Sequence, residues 1–340
     1  MTATADRLAL VTGATGFTGG HLARTLRDRG YAVRALVRKA DNPLAQALAK
    51  DGIELVEGDA ADADAIDRAA SGMTHIFHIA AVYRTANHPD SYYHAVNRDS
   101  VTHVLAAAEK HRIARVVQCS TCGVHGDVVE NPATEETPFN PGDIYQHSKL
   151  AGEEVARAAM AKGAPVSVVR PTGIYGPGDT RFLKLFKTIQ NRTFRMFGSG
   201  EIDYHMTYID DMVQGIILAG EHEAAIGEVF LIGSDDYGSL NNMVRLIAET
   251  LDVPSPRGRL PMAPLLAAAT ICEFACKPFG IDPPLHRRRC EFFIKERAFS
   301  NDKAKRLLGF EPQVPLAEGL ARTAAWYRAE GLLPSAKQAA

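Results

Sequence analysis

The chain has 340 residues, of which 46% are hydrophobic and 23% charged, and its formal net charge is −2. That length suits one large or two ordinary domains with a sizeable core, in the composition of a folded globular protein. The balanced charge leaves no basic footprint for nucleic acid, and the short run Arg287-Arg288-Arg289 reads as a solvated helix face.

The opening MTATADRLALVTG lacks the charged-then-apolar layout of an export signal. Five cysteines (119, 122, 272, 276 and 290), an odd number, point to free thiols and a cytoplasmic setting. LALVTGA (8–14) is an apolar strand ending in glycine, and GHLARTLRDRG (20–30) follows as a helix with Leu22 and Leu26 one turn apart. Strand AVRALVR (32–38), helix PLAQALAKDG (43–52), strand IELVEGD (53–59), the helical DADAIDRAASG and strand THIFHIAA (74–81) continue the alternation. Helix HAVNRDSVTHVLAAAEKH (94–111), strand RVVQCS (115–120), helix YQHSKLAGEEVARAAMAKG (145–163) and strand PVSVVRP (165–171) extend it. Apolar strands alternating with helices predict a parallel sheet covered on both faces.

After about residue 176 the rhythm loosens. TYIDDMVQGIILAGEH (207–222) and EVFLIGS (228–234) read as a return to the first layer, and LAEGLARTAAWYRAEG (316–331) as an amphipathic closing helix. The most apolar later stretch, Leu260 to Ile271, falls short of the ~20 residues a membrane span needs. It is expected as a buried helix, with an apolar lid or a membrane-surface contact as the weaker alternative.

VTGATGFTGG (11–20) joins the first strand to the first helix. Gly13, Gly16 and Gly19, with Thr15, Phe17 and Thr18 between them, let backbone N–H groups approach a pyrophosphate at a helix N-terminus. In this strand–turn–helix context the pattern predicts a Rossmann-type, doubly wound α/β domain that binds a dinucleotide. Segments 1–176 and 207–234 are assigned to it, and segments 177–206 and 235–335 to a smaller α/β domain for substrate. The end of the second strand selects the cofactor. NAD asks for a carboxylate there, for the ribose 2′-hydroxyl, whereas a 2′-phosphate asks for cations. The residue in that place is Val37, followed by Arg38 and Lys39, so NADP is expected. NAD stays possible if Arg38 stacks on adenine and Asp41 takes the ribose.

QCSTCGVHG (118–126) holds a Cys-x-x-Cys pair around two hydroxyls, Ser120 and Thr121. A redox dithiol belongs at a helix start, and zinc would need two further ligands. The twelve histidines form no convincing metal set; His75 and His78, three apart on a strand, point to opposite faces. No metal is expected. YQHSK (145–149) places Tyr145 and Lys149 one helical turn apart. A free tyrosine has a pKa of ~10, and a neighbouring ammonium favours its phenolate, so Tyr145 could exchange a proton near neutral pH.

Together these segments resemble the extended short-chain dehydrogenase/reductase superfamily, also called the NAD-dependent epimerase/dehydratase family. The resemblance runs through TGATGFTG, Asp59 in EGDA, HIAA, Asn97 in HAVN, STCGVHG, YQHSK, RPTGIYGPGD, YIDD and FSNDKAKRLLGFEP. It implies that Asp59 and Ala60 contact adenine, and that Ala80 and Ala81 line the cofactor channel. Pro171, with Thr172 beside it, would lie at the nicotinamide. Thr121 would polarise the substrate oxygen, with Ser120 the alternative if the register is one residue off. Lys149 would bind the nicotinamide ribose and tune Tyr145, and Asn97 would support the proton network. The resemblance also implies a homodimer paired through helices 94–111 and 145–163.

Dehydratases of the family keep an Asp and a Glu after the threonine, where this chain has Cys122 and Gly123. Its sugar-nucleotide enzymes usually carry an Asn at the place of Gly173 and commonly an Arg at the place of Tyr204, although Arg181, Arg192, Arg195 or Arg297 could compensate. These departures, with VRALVR and RPTGIYGPGD, point toward the dihydroflavonol reductase and 3β-hydroxysteroid dehydrogenase side. The expected function is NADP-dependent interconversion of a secondary alcohol and a ketone or aldehyde on a small-molecule substrate. The alternative is a sugar-nucleotide epimerase with tightly held cofactor. A nucleotide-sensing regulator is a third reading, weakened by the presence of both Tyr145 and Lys149.

Overall fold

The computed structural model describes residues 7–83, 88–279 and 283–334. The ends of the two expected domains, residues 1–6 and 335, lie outside the described residues. Seven strands, all parallel, form the central sheet: β1 (Leu8–Thr12), β2 (Ala32–Val37), β3 (Glu54–Glu57), β4 (His75–His78), β5 (Arg115–Cys119), β6 (Val166–Pro171) and, after four short strands, β11 (Val229–Ile232). Their order is β11-β6-β5-β4-β1-β2-β3, so the chain winds outward from β1 in both directions. The direction switches between β1 and β4, and a crevice opens at their carboxyl ends.

Alternate strand residues serve opposite layers. On β1, Ala9 and Val11 join Leu22, Leu26 and Ile216 in one cluster, while Leu10 joins Ile66, Val104 and Ala156 in the other. The first layer contains α1 (Phe17–Asp28), α2 (Pro43–Lys50) and, much later in the chain, α8 (Ile209–Glu221), which crosses β5 and β6. The second contains α3 (Ala63–Ala70), α5 (Ser100–Lys110) and α6 (Ile144–Met160). α1 begins at Phe17, three residues before the expected helix, because Gly16 already stands as its N-cap.

The segment expected as one helix over 94–111 starts earlier and is not uniform. An α-helical turn, α4 (Asp90–His94), passes through a π-helical turn, Ala95–Asp99, into α5. A π turn shifts the register of the side chains around the axis. Here it carries Asn97 into the interior, and no hydrophobic period would disclose it.

Residues after β6 make small pairings around α7 (Leu183–Gln190). β7 (Gly173–Tyr175) pairs with β10 (Met206–Tyr208), β8 (Met196–Phe197) with Arg259–Leu260, and β9 (Asp203–Tyr204) antiparallel with Gly238–Ser239. α9 (Leu240–Thr250) packs on α7 and on the last described helix, Leu316–Ala329.

The buried helix expected over 260–271 is corrected by the structure. Met262–Cys276 is helical, but Ala269 is its sole buried residue; Ile271 is 68% exposed and Phe274 72%, and Phe279 just beyond is 76% exposed. Apolar residues surround this helix on all sides, so no polar face orients it toward a core. Its main neighbours are two short turns, Lys277–Phe279 and Arg287–Cys290, the latter tied to it by bonds from Arg287 to the Glu273 carboxylate. No described helix is long and apolar enough to cross a membrane.

Candidate functional site

Two adjoining cavities open along the carboxyl edge of the sheet. The first, about 500 Å³, is bounded by Gly13, Thr15, Gly16, Phe17, Thr18 and Gly19 on one side and by Arg38, Asp59, Ala60, Ala80 and Ala81 on others. Backbone closeness explains its glycines. Gly13 has φ +71°, and a Cβ there would stand 2.8 Å from the Ala80 backbone; at Gly19 it would stand 2.2 Å from the Gly13 carbonyl oxygen. No larger residue fits either place. The α1 N-terminus has no side-chain cap and no acid in its first turn, so its N–H groups and partial positive charge face the cavity unopposed. This cradle fits the pyrophosphate of a dinucleotide.

Thr12 holds the cradle against the next strand. Its hydroxyl accepts from the N–H groups of Ile79 and Ala80, both at 3.1 Å, so its proton goes to His78 Nδ1 at 2.8 Å. His78 Nε2 then donates to Ser100. Burial pushes His78 down to about 3, so it stays neutral. At the far end Asp59 accepts from the Ala61 N–H and the Tyr92 hydroxyl. Val37 is buried, Arg38 lines the cavity, and Lys39 and Asp41 are exposed outside its lining.

The second cavity, about 420 Å³, shares Thr18, Ile79, Ala81, Tyr83 and Arg181 with the first. It brings together Thr121 from the turn after β5, Tyr145 and Lys149 from α6, and Pro171 and Thr172 from the end of β6. α6 is positioned by Asp143, whose carboxylate caps it at the Gln146 N–H, and by Gly152, where a Cβ would meet the Asn97 carbonyl oxygen at 2.0 Å. Tyr145 packs edge-on against Tyr83, ring centroids 5.1 Å apart. Lys149 is buried and donates to the Cys119 carbonyl; desolvation lowers its pKa.

The two hydroxyls of the Ser-Thr pair differ. Ser120 donates to Glu153 Oε2 at 2.6 Å, inside a fully buried ion pair between Glu153 and Arg170. Burial opposes ionisation of Glu153, but Arg170 and Ser120 outweigh it and hold the carboxyl below its usual range. Arg170 also donates to His125 Nε2, and burial pushes His125 down to about 4. Thr121 instead accepts from the Gly123 N–H at 3.1 Å, and its proton has no acceptor among the described residues. Cys119 is a buried free thiol whose pKa burial raises, and Cys122 opens the following turn.

Asn97 lines neither cavity. Its amide spans Val82 N, Val82 O and Ser148 Oγ, clamping the loop after β4 to α6 one turn behind Tyr145. The structure thus gathers Thr121, Tyr145, Lys149, Pro171 and Thr172 at one end of the cleft and the glycine cradle at the other, with Asn97 behind them. Sequence reasoning missed Tyr83, Phe182, His205 and Lys295, which also line the second cavity. They come from segments without a motif, and folding alone brings them together. Of the four arginines that could replace missing anion partners, Arg181 and Arg297 reach the cavity; Arg192 and Arg195 are absent from its lining. At Gly173 a Cβ would stand 3.0 Å from the His205 carbonyl oxygen, so an Asn there would crowd that strand.

A parallel sheet with a glycine cradle at its switch point defines a dinucleotide-binding α/β enzyme. The sequence model of the NAD dependent epimerase/dehydratase family matches residues 9–233, and the chain belongs to that family. It is 30% identical over 317 residues (91% of this chain, 93% of the relative) to a 4-hydroxy-2-methyl-3-oxo-4-farnesyl-3,4-dihydroquinoline-1-oxide ketoreductase of Stigmatella aurantiaca. It is also 30% identical over 327 residues (92% and 97%) to a 2-alkyl-3-oxoalkanoate reductase of Stenotrophomonas maltophilia. The crystal structure of gox2253 superposes with a TM-score of 0.81 at 29% identity, covering 96% of this chain and 99% of that one. A UDP-glucose 4-epimerase from Thermotoga maritima shares the fold, with a TM-score of 0.75 at 23% identity.

Proposed function

We propose that the chain is an NADP-dependent oxidoreductase that interconverts a secondary alcohol and a ketone or aldehyde, with Tyr145 as acid and base. The observation that carries this reading is the division of labour at the Ser-Thr pair. Glu153 accepts the Ser120 hydrogen bond, leaving Thr121 able to donate in the cavity that Tyr145 and Lys149 also line. A dinucleotide, when held in the cradle, would supply or remove the hydride. In reduction Thr121 donates to the substrate oxygen and polarises it, and Tyr145 delivers the proton; in oxidation Tyr145 removes it. Lys149 would hold the nicotinamide ribose, and its ammonium favours the tyrosinate. Asn97 is a positioning residue, holding α6 through Ser148.

Arg38 in the cradle, with Val37 in place of an acid and Asp41 outside the lining, supports NADP over NAD. The two 30%-identical relatives, both named reductases of oxo compounds, support net reduction over epimerisation. We further propose a homodimer through α5 and α6 in the cytoplasm, and a substrate region formed by residues 177–206 and 235–335. Net NADPH oxidation with a panel of ketones tests the main reading. Tightly bound cofactor with no net turnover, together with conversion of UDP-glucose, would instead establish an epimerase. Tyr145→Phe is expected to lose about 10²–10⁴-fold in kcat, the usual worth of a positioned acid–base group; full turnover by that variant would refute its role.

A further inference from the structure

Among the described residues, four lysine and arginine side chains line the catalytic cavity, and no carboxylate does. Three of the four have partners. Lys149 donates to the Cys119 carbonyl, Arg181 is held by the Asp179 carboxylate through Nε and Nη2, and Lys295 lies 3.1 Å from Glu291. Arg297 is different. Its side chain reaches only the Glu291 carbonyl, at a long 3.4 Å, and stacks over the Tyr204 ring with Cζ 5.4 Å from the centroid. No carboxylate among the described residues balances its charge. Its backbone is fixed on both sides, donating to the Asp203 carbonyl and accepting from the His205 N–H, so the guanidinium is held at the cavity wall.

A half-buried guanidinium has five N–H donors and gains most when a planar anion meets its edge with two parallel bonds. Tyr204 covers one face of Arg297, and apart from the long Nη2 bond to Glu291 its N–H donors have no acceptor among the described residues. We propose that Arg297 is the anchor for a carboxylate on the substrate, so that the compound reduced at Tyr145 is an oxo acid or hydroxy acid on an apolar skeleton. This rests on the reductase reading for the reacting end and on Arg297 for the other. Phe182, Phe299 and Tyr83 supply apolar walls in the same cavity. A diphosphate is the poorer fit, because it spreads its charge over two groups, and Gly173 and Tyr204 provide neither an amide nor a second free guanidinium.

The test compares octanoate with octanamide, titrated by calorimetry into the protein saturated with NADP. Octanoate is expected to bind at least about ten-fold tighter, the lower end of what hydrogen bonds to a charged group contribute. Arg297→Gln should bring the two within about three-fold, and Arg297→Lys should retain part of the preference. Equal affinities in the wild-type protein, no binding of octanoate at millimolar concentration, or a preference that survives in Arg297→Gln would overturn the proposal. So would tight binding of UDP-glucose that depends on Arg297. NADPH oxidation is read separately, with 3-oxooctanoate and with its methyl ester, which has no carboxylate. Arg297-dependent octanoate binding without any ketone turnover would keep the anion site and remove the reductase reading, whereas turnover without carboxylate preference would do the reverse.

Discussion

Ser120 donates a hydrogen bond to Glu153 Oε2 at 2.6 Å, and both side chains are buried. The bond decides which of two adjacent hydroxyls is available for chemistry. Thr121→Ala should lower kcat about 10²–10³-fold, the cost of removing one donor aimed at a developing oxyanion. Ser120→Ala should lower kcat by less than about five-fold while destabilising the fold by about 1–3 kcal/mol, because the buried Glu153 carboxylate loses one of its hydrogen-bond donors and keeps Arg170. Steady-state kinetics with thermal melts on both variants checks this. A larger kinetic loss in Ser120→Ala would shift the assignment by one residue.

Glu153 and Arg170 themselves make the second prediction. Removing one member of a fully buried ion pair leaves the other charge uncompensated, at a cost of about 3–5 kcal/mol. Glu153→Gln should therefore lower the urea midpoint far more than Arg157→Gln, whose partly exposed guanidinium sits 3.7 Å from the same carboxylate. Comparable losses in the two variants would count against a structural role for the buried pair.

Arg38 tests the cofactor reading. If it holds a 2′-phosphate, Arg38→Ala should reduce kcat/KM for NADPH about 10–100-fold, the worth of charge-assisted hydrogen bonds, and leave that for NADH within about three-fold. An equal effect on both cofactors would mean that Arg38 stacks on the adenine.

Much of this site was legible beforehand because it depends on local pattern. Glycines at 13, 16 and 19 after an apolar strand, and Tyr145 one turn from Lys149, are spacings that backbone geometry fixes. What escaped notice depends on distant segments meeting. Nothing in the sequence around Glu153 shows that it faces Ser120 and Arg170, and nothing before Ala298 shows that Arg297 stacks on Tyr204. The π turn at Asn97 and the exposure of Met262–Cys276 were hidden for a related reason. Hydrophobic content says that a helix can be buried, but only a facing surface buries it.

That exposed helix carries its own expectation. Phe274 packs little of its surface, so Phe274→Ser should change stability by no more than about 0.5 kcal/mol, as for surface positions generally. Phe230, fully buried in β11, should cost about 3–5 kcal/mol when replaced by Ala. Denaturant titration of the two variants distinguishes the sites. A large loss at Phe274 would show that this helix is covered in solution.

Three buried histidines set the acid limit of the fold. His78, His125 and His205 each accept a hydrogen bond on one ring nitrogen, from Thr12, Arg170 and the Phe299 N–H, so each is held neutral. Burial pushes their pKa values down to about 3, 4 and 4 from an ordinary value near 6.5. Below pH ~6.5 the unfolded chain binds protons that the folded protein refuses, so stability falls with decreasing pH, by up to about 1.4 kcal/mol per pH unit for each histidine. The loss should begin just below pH 6.5, ease below pH 4 as His125 and His205 protonate in the folded protein, and end near pH 3 with His78, leaving the carboxylates to dominate. Urea unfolding between pH 8 and 4 measures the slope. His205→Gln, which can still donate to the Ser234 carbonyl, should reduce it by about a third between pH 6 and 4.5. An unchanged slope in that variant would mean that His205 is not held neutral in the folded protein.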